Sequence, residues 1–106
     1  MRWRSRRRQQ KRSTADALAE WVAARRGVEV FVEPKTAMTG VSMMLVAHDG
    51  EFTRRLIDGP KVAQAFAREH ALPVYDATIV GYPQRMRDYS RRQKILAERE
   101  TRRRLE

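Results

Sequence analysis

Apolar positions after residue 17 are spaced as on one face of a helix. Leu18 and Trp21 lie three residues apart, and Ser13 precedes them as a residue whose hydroxyl can accept from a free first-turn amide. Gly27 tolerates the left-handed backbone with which many helices end. This pattern predicts a first helix over residues 14 to 26.

Three runs with the spacing of strands follow that helix. Valines alternate with other residues from 28 to 32, which predicts a half-buried strand. The run from Val41 to Ala47 is apolar on both faces, as in the central strand of a sheet. Asp49-Gly50 favours a tight hairpin turn, because both residues tolerate positive φ, and it leads into a return strand over residues 51 to 57.

A second helix, a fourth strand and a final helix complete the pattern. Gly59-Pro60 opens the second helix, because proline at a first-turn position loses no hydrogen bond, and Pro73 prevents its continuation. The apolar run from Val74 to Val80 predicts the fourth strand, and residues from Gln84 onward predict a helix. Acid-before-base pairs at i,i+4 spacing support that last helix: Asp88 with Arg92, Glu98 with Arg102, and Glu100 with Arg104.

The order of these elements is α-β-β-β-α-β, followed by a basic helix. It predicts an α+β fold with a small, mostly antiparallel four-stranded sheet, two packed helices and a basic C-terminal helix. We expect a disordered basic arm over residues 1–12, an α+β domain over residues 13–82 and the basic C-terminal helix over residues 83–106. The pattern does not fix where the fourth strand joins the sheet.

Positive charge is concentrated at the two ends of the chain. Residues 1–12 hold seven basic residues and no acid, residues 13–82 hold seven basic and nine acidic residues, and residues 83–106 hold nine basic and four acidic residues. The ends therefore contribute +7 and +5 to the net charge of +10, and the central part contributes −2. Such a field attracts polyanions and speeds association with them, so we expect an anionic partner.

Arginines interleaved with aromatic rings mark two candidate binding segments. Trp3 stands between two arginines and can insert into a groove, while Gly81–Arg92 combines guanidinium groups with rings that can stack on bases. In the alternative interpretation, Met86 and Tyr89 pack on the sheet and leave a solvated basic face. The candidate nucleic-acid-binding residues are Arg2, Trp3, Arg4, Arg6, Arg7, Arg8, Tyr82, Arg85, Arg87, Tyr89, Arg91 and Arg92.

Candidates for catalysis are few. His48 beside Asp49 has the residue types of a general base with its orienting acid, but adjacent strand residues point to opposite faces and the pair suits a turn. Asp76 would have a shifted pKa if it pointed into the apolar strand predicted around it. The chain has no cysteine and two histidines without metal-site spacing, so we expect no metal and no cofactor.

Several short motifs carry a resemblance to a group of proteins. They are Val32-Glu33-Pro34, the hairpin sequence Val46 to Glu51, Pro73 to Asp76, and Val80 to Tyr89. Over residues 28–92 the chain resembles a family of small actinobacterial proteins of uncharacterised function, some of them labelled oxidoreductase. The resemblance implies association with a redox complex rather than catalysis, because the chain has no Gly-x-Gly-x-x-Gly turn and no cysteine for a cluster.

A second resemblance concerns the order of elements. The order α-β-β-β-α is similar to that of double-stranded-RNA-binding domains, and Pro60 to Ala63 with His70 to Leu72 resembles the helix that closes them. The chain departs from that family in having Lys61 alone where a cluster of lysines is expected, and in continuing into a fourth strand.

These observations favour a non-catalytic, basic-armed domain that docks onto an anionic partner, with RNA or a ribonucleoprotein favoured over duplex DNA. The alternative is an accessory subunit of a larger protein assembly, such as an oxidoreductase complex. Its acidic surfaces would bind the arms, and Trp21, Phe31 and Met44 would be outward apolar contacts. A small enzyme using His48 or Asp76 is a third hypothesis. No apolar run approaches a membrane span, and we expect a cytoplasmic protein.

Overall fold

The structure, a computed structural model, describes residues 14–34 and 40–106. The predicted disordered arm, the Ser13 cap and the turn at Thr39 lie outside these residues. The first helix, α1, covers residues 14–23 of the described part. The other helices are α2 (Pro60–Glu69), α3 (Ala77–Val80) and α4 (Gln84–Leu105), and the strands are β1 (Glu29–Glu33), β2 (Ser42–Val46), β3 (Phe52–Leu56) and β4 (Val74–Asp76).

The four strands form one sheet in the order β3-β2-β1-β4. β2 is antiparallel to both β1 and β3, whereas β4 runs parallel to β1, with Val30 opposite Val74. The predicted α+β fold with a mostly antiparallel sheet is therefore confirmed, and the fourth strand lies on the β1 edge. A parallel neighbour requires a crossover, which α2 provides between the two edges of the sheet.

One face of the sheet, here called the α1/α2 face, packs against the first two helices. Leu18 of α1 and Phe66 of α2 lie over Val30, Met43 and Leu45 of the central strands. These three strand residues are at most 2% exposed, and every residue of β2 is buried. The apolar character of β2 on both faces thus predicted its central position correctly.

The other face, here called the α3/α4 face, corrects the expectation of outward apolar residues. Phe31 and Met44 are 4% and 0% exposed, because α3 and the first turns of α4 cover them. Ala77 and Met86 from these helices pack into the same cluster. Neither Phe31 nor Met44 is therefore a surface contact for a partner, as the accessory-subunit hypothesis had required.

The prediction of the fourth strand is correct for its first three residues and wrong for the remainder. Only Val74–Asp76 is a strand, and Ala77–Val80 is a short helix. Asp76 begins that helix as its N-cap, with its carboxylate accepting a hydrogen bond from the Thr78 amide at 2.8 Å. A capping aspartate satisfies a first-turn amide that would otherwise lack a partner, and this local gain outweighs the strand propensity of the apolar residues after it.

The first helix also ends earlier than predicted, at residue 23 rather than 26. The Arg25 amide donates to the Val22 carbonyl, three residues back, which tightens the last turn. Gly27 then adopts φ of 61°, and a Cβ there would lie 3.1 Å from that of His48. The glycine therefore serves the close packing of the α1–β1 connection against the β2–β3 hairpin.

Candidate nucleic-acid interface

The start of α4 is fixed on the α3/α4 face of the sheet. Pro83 is its N-cap, with φ of −68°, and Met86 packs beside Phe31 and Met44. The alternative in which Met86 packs back on the sheet is thus confirmed. Tyr89 is half-buried above the hairpin turn, close to Gly50.

Two residues of the predicted binding motif are occupied within the fold. The Tyr82 hydroxyl donates to the Glu33 carboxylate, and Arg85 forms an ion pair with Glu29. Arg85 also donates to the Ala47 carbonyl at 3.0 Å. Tyr82 and Arg85 therefore both have contacts that hold the segment before and at the start of α4 on the sheet.

The ionisation of Glu33 reflects its place in this network. Burial raises the pKa of the Glu33 carboxyl, but hydrogen bonds from Arg54 and Tyr82 outweigh that effect, so its pKa lies below the ordinary value. The same hydrogen bond from Tyr82 raises the pKa of the Tyr82 phenol, with burial as the second cause. At neutral pH the pair is therefore a carboxylate and a protonated phenol.

Gly50 allows the hairpin to approach α4 closely. A Cβ at this position would lie 1.9 Å from the Arg85 carbonyl oxygen, and the residue has φ of 94°. Arg92 adds a further contact by donating to the Asp49 carbonyl at 3.0 Å. The Asp49-Gly50 pair thus has a second role, beyond the turn that its sequence predicts, as the surface on which α4 rests.

The remainder of α4 is exposed. Every residue from 90 to 106 is exposed, including Leu96 and Leu105 at 54% and 83%. One of the three predicted i,i+4 ion pairs is present, between Glu100 and Arg104 at 3.5 Å. The Asp88 carboxylate instead accepts a hydrogen bond from the Gln84 amide, and Arg92 donates to the Asp49 carbonyl in the hairpin.

A row of cations follows the side of α4 that faces away from Met86 and Tyr89. Spacings of four, three and eight residues place its members on one face of the helix, with Glu98 between the last two. Among the described residues, no carboxylate lies within ion-pair distance of these cations. This basic stripe consists of Arg87, Arg91, Lys94 and Arg102.

The sequence had identified half of the basic stripe. Arg87 and Arg91 belong to the predicted motif, whereas Lys94 and Arg102 were missed, although their helical spacing from Arg91 is readable in the sequence. Arg92 lies 5.9 Å from the centre of the Tyr89 ring and contacts the hairpin. The other predicted binding residues lie outside the described part of the chain: Arg2, Trp3, Arg4, Arg6, Arg7 and Arg8.

The residues considered for catalysis have local contacts. The His48 ring lies 3.2 Å from the Arg26 carbonyl oxygen, which joins the hairpin to the α1–β1 connection. Asp76 is exposed in its capping position, and hydrogen bonds from the Thr78 hydroxyl and amide lower the pKa of its carboxyl. His70 is the C-cap of α2, and its ring centre lies 4.4 Å from that of Phe66.

Comparisons with known proteins identify no significantly similar protein, so the proposed function depends on the geometry of the site. No protein-family model matches the chain, and no curated protein or solved structure is significantly similar to it. Over residues 14–34 and 40–106, no three or more His, Asp or Glu residues are grouped so as to hold a metal ion. No helix within those same ranges has the length and apolar character needed to cross a membrane.

Proposed function

We propose that this protein is a non-catalytic binding domain that docks onto RNA or a ribonucleoprotein through the basic stripe of α4. The observation that carries the proposal is the absence of carboxylate partners for Arg87, Arg91, Lys94 and Arg102 among the described residues. Cations that lie on an exposed helix face without carboxylate partners can exchange their counterions for phosphates.

Three arginines that pack near the sheet are ion-paired, unlike the cations of the stripe. Arg25 pairs with Glu51 at 2.8 Å, Arg54 pairs with Glu33, and Arg85 pairs with Glu29. These arginines hold elements together and have their charge largely compensated. The stripe cations have no such structural duty, so their positions are better explained by a ligand outside the chain.

The length of the stripe suits a polymer rather than a small anion. Fifteen residues separate Arg87 from Arg102, which corresponds to about 22 Å along a helix. The side chains project into solvent from a helix fixed at one end. This arrangement can contact successive phosphates, and the seven basic residues at positions 1–12 add to the attraction.

A charge-matched pair of variants tests the proposal. We expect R87Q/R91Q/K94Q to weaken binding of a single-stranded RNA, measured by fluorescence anisotropy between about 50 and 200 mM salt. Loss of three phosphate contacts should reduce the slope of log affinity against log salt by about 2. The same charge is removed elsewhere in the control R26Q/K61Q/R68Q, which should change the slope much less.

Two results would contradict the proposal. Equal losses in both triple variants would mean that total charge alone governs binding and that the stripe has no special role. Absence of binding even at the lowest salt concentration would remove RNA as the partner. In that case a complex recovered from cells should survive nuclease treatment, as a protein assembly would.

A further inference from the structure

A shallow pocket opens beside the base of α4, on the β4 edge of the sheet. Its volume is about 220 Å³, and it is bounded by β1, β4, the end of α3 and the start of α4. No contact of the basic stripe described above uses this pocket. Six of its lining residues carry the argument: Glu29, Phe31, Tyr75, Val80, Pro83 and Arg85.

The walls of the pocket suit a flat ring. The Tyr75 ring is 36% exposed and lies 5.4 Å from the Phe31 ring, which supports it from the buried side. Val80 is 55% exposed and lines the pocket as an aliphatic surface. An aromatic ring left open to solvent on an edge strand offers the stacking surface that single-stranded RNA ligands use.

One side of the pocket is polar and carries both an acceptor and a donor. Glu29 and Arg85 form their ion pair here, with side chains that are 27% and 30% exposed. Glu29 also has a hydrogen bond with the Tyr75 hydroxyl. Arg85 also donates to the Ala47 carbonyl. A carboxylate has about four acceptor positions and a guanidinium has five N–H donors, so both keep capacity beyond these bonds. Guanine presents an acceptor beside two adjacent donors on its base-pairing edge, which matches this pair of groups.

The pocket lies beside the end of α4 at which the basic stripe begins. Pro83, the N-cap of α4, lines the pocket, and Arg87, the first cation of the stripe, follows four residues later. One turn of a helix advances about 5.4 Å, so the first stripe cation lies about one turn along the chain direction of α4 from Pro83.

We propose that this pocket takes one unstacked nucleobase, with guanine as the best fit, from the RNA strand whose phosphates contact the basic stripe. This inference rests on the proposed function, to which it adds a preference for base identity. Tyr75 supplies the stacking surface, and Glu29 with Arg85 reads the edge of the base. The stripe would supply affinity without reading sequence, as phosphate contacts do.

The test uses the full chain and four short uridine oligoribonucleotides that differ only at one central position, which is G, A, C or U. We expect the oligonucleotide with G to bind most tightly. Tyr75→Ala should reduce its affinity about tenfold and abolish the preference, whereas Tyr75→Phe should retain it, because a phenyl ring still stacks. Tyr75→Leu separates loss of the ring from loss of packing on Phe31 and should behave like the alanine variant.

The outcomes distinguish this inference from the proposed function. Ile79→Ala is the control, since Ile79 is 82% exposed nearby but does not line the pocket, and it should leave the preference unchanged. Equal binding of all four oligonucleotides, or a G preference that survives both Tyr75→Ala and Tyr75→Leu, would overturn the base pocket while leaving phosphate binding intact. Failure of all four to bind at low salt would overturn both proposals.

Discussion

Glu29 and Glu33 determine how the last helix sits on the sheet. They stand on either side of Phe31 on one face of β1, and each receives a partner from the segment that follows α3. The apolar ring between them supplies the burial, and the two carboxylates fix direction and register. Glu29, Phe31 and Glu33 thus specify how α4 docks on the sheet. Arg85, the α4 partner of Glu29, lies more than 50 residues further along the chain.

Gly50 is the residue where we expect the smallest chemical change to have the largest effect. Gly50→Ala introduces a methyl group 1.9 Å from the Arg85 carbonyl oxygen at a position with φ of 94°. Overpacking and left-handed strain together should lower the free energy of unfolding by about 2 kcal/mol or more. Urea denaturation followed by circular dichroism measures this. Gly59→Ala is the control, because a Cβ there has nothing within 4 Å; equal stability of both variants would contradict the close approach.

At the scale of elements, α4 has two parts with different duties. Residues 84–92 are fixed by Met86, Arg85 and Arg92, whereas residues 93–106 are all exposed. An exposed helix of mixed charge can persist by continuing from an anchored first turn, since the costly nucleation step has already been made. Packing on the sheet is therefore confined to residues 84–92, whereas the basic stripe continues from Arg87 and Arg91 in that part to Lys94 and Arg102 in the exposed part.

Truncation after Arg92 removes the exposed part of α4 with Lys94 and Arg102, and leaves Arg87 and Arg91 of the stripe in place. It removes five basic and three acidic residues, none of which packs on the sheet. We expect the free energy of unfolding to change by less than about 0.5 kcal/mol, as for other exposed positions, while RNA affinity falls. Thermal melts and anisotropy titrations on the same samples provide the comparison. Truncation after Pro83 is the contrasting case, because it uncovers Phe31 and Met44; equal melting temperatures for the two truncations would refute the division.

Sequence patterns predicted the elements well where local chemistry decides. Period-two alternation identified β1, and the Asp49-Gly50 pair identified the β2–β3 hairpin, although of the two residues only Gly50 has positive φ. The Val74–Val80 run was misassigned because apolar residues suit both strand and buried helix, and the capping role of Asp76 was not weighed. Local pattern predicts an element, but it does not say which neighbour will cover it.

The same limit applies to the candidate site. The sequence indicated that residues 81–92 mix cations and rings, yet it could not separate Arg85, which turns inward to Glu29, from Arg87, which turns outward. That separation depends on the docking angle of α4, a long-range property. Tyr75 was missed for a related reason, since its exposure follows from β4 lying at the sheet edge.

At the scale of the whole molecule, carboxylates tie the helices to the sheet on both sides. Glu51 holds Arg25, at the end of α1, with bonds of 2.9 and 2.8 Å, and Glu33 holds Tyr82 ahead of α4. The hydrogen bond from Arg25 lowers the pKa of Glu51, and the pKa of Glu33 is lowered as well, despite the opposing effect of burial. The packing of helices on both faces of the sheet therefore depends on the ionisation of Glu33 and Glu51.

Acid should accordingly destabilise the fold. Because these folded-state pKa values lie below the ordinary 4.5, the unfolded chain takes up protons first, and stability falls as pH drops below about 4.5. Urea midpoints at about pH 6 and about pH 3.5 measure the loss. Glu33→Gln should be less stable at the higher pH and lose less on acidification. An identical acid response in the variant and the wild type would show that Glu33 contributes nothing to it.

The parallel pairing of β4 with β1 has a consequence for synthesis. The three strands β1, β2 and β3 leave the ribosome well before the segments that shield Phe31 and Met44. A nascent chain at that stage exposes the apolar residues of this sheet face, and the edge of β1 has no neighbouring strand. We expect this intermediate to bind chaperones, to be sensitive to proteases and to aggregate until residues 74–92 emerge and cover that face.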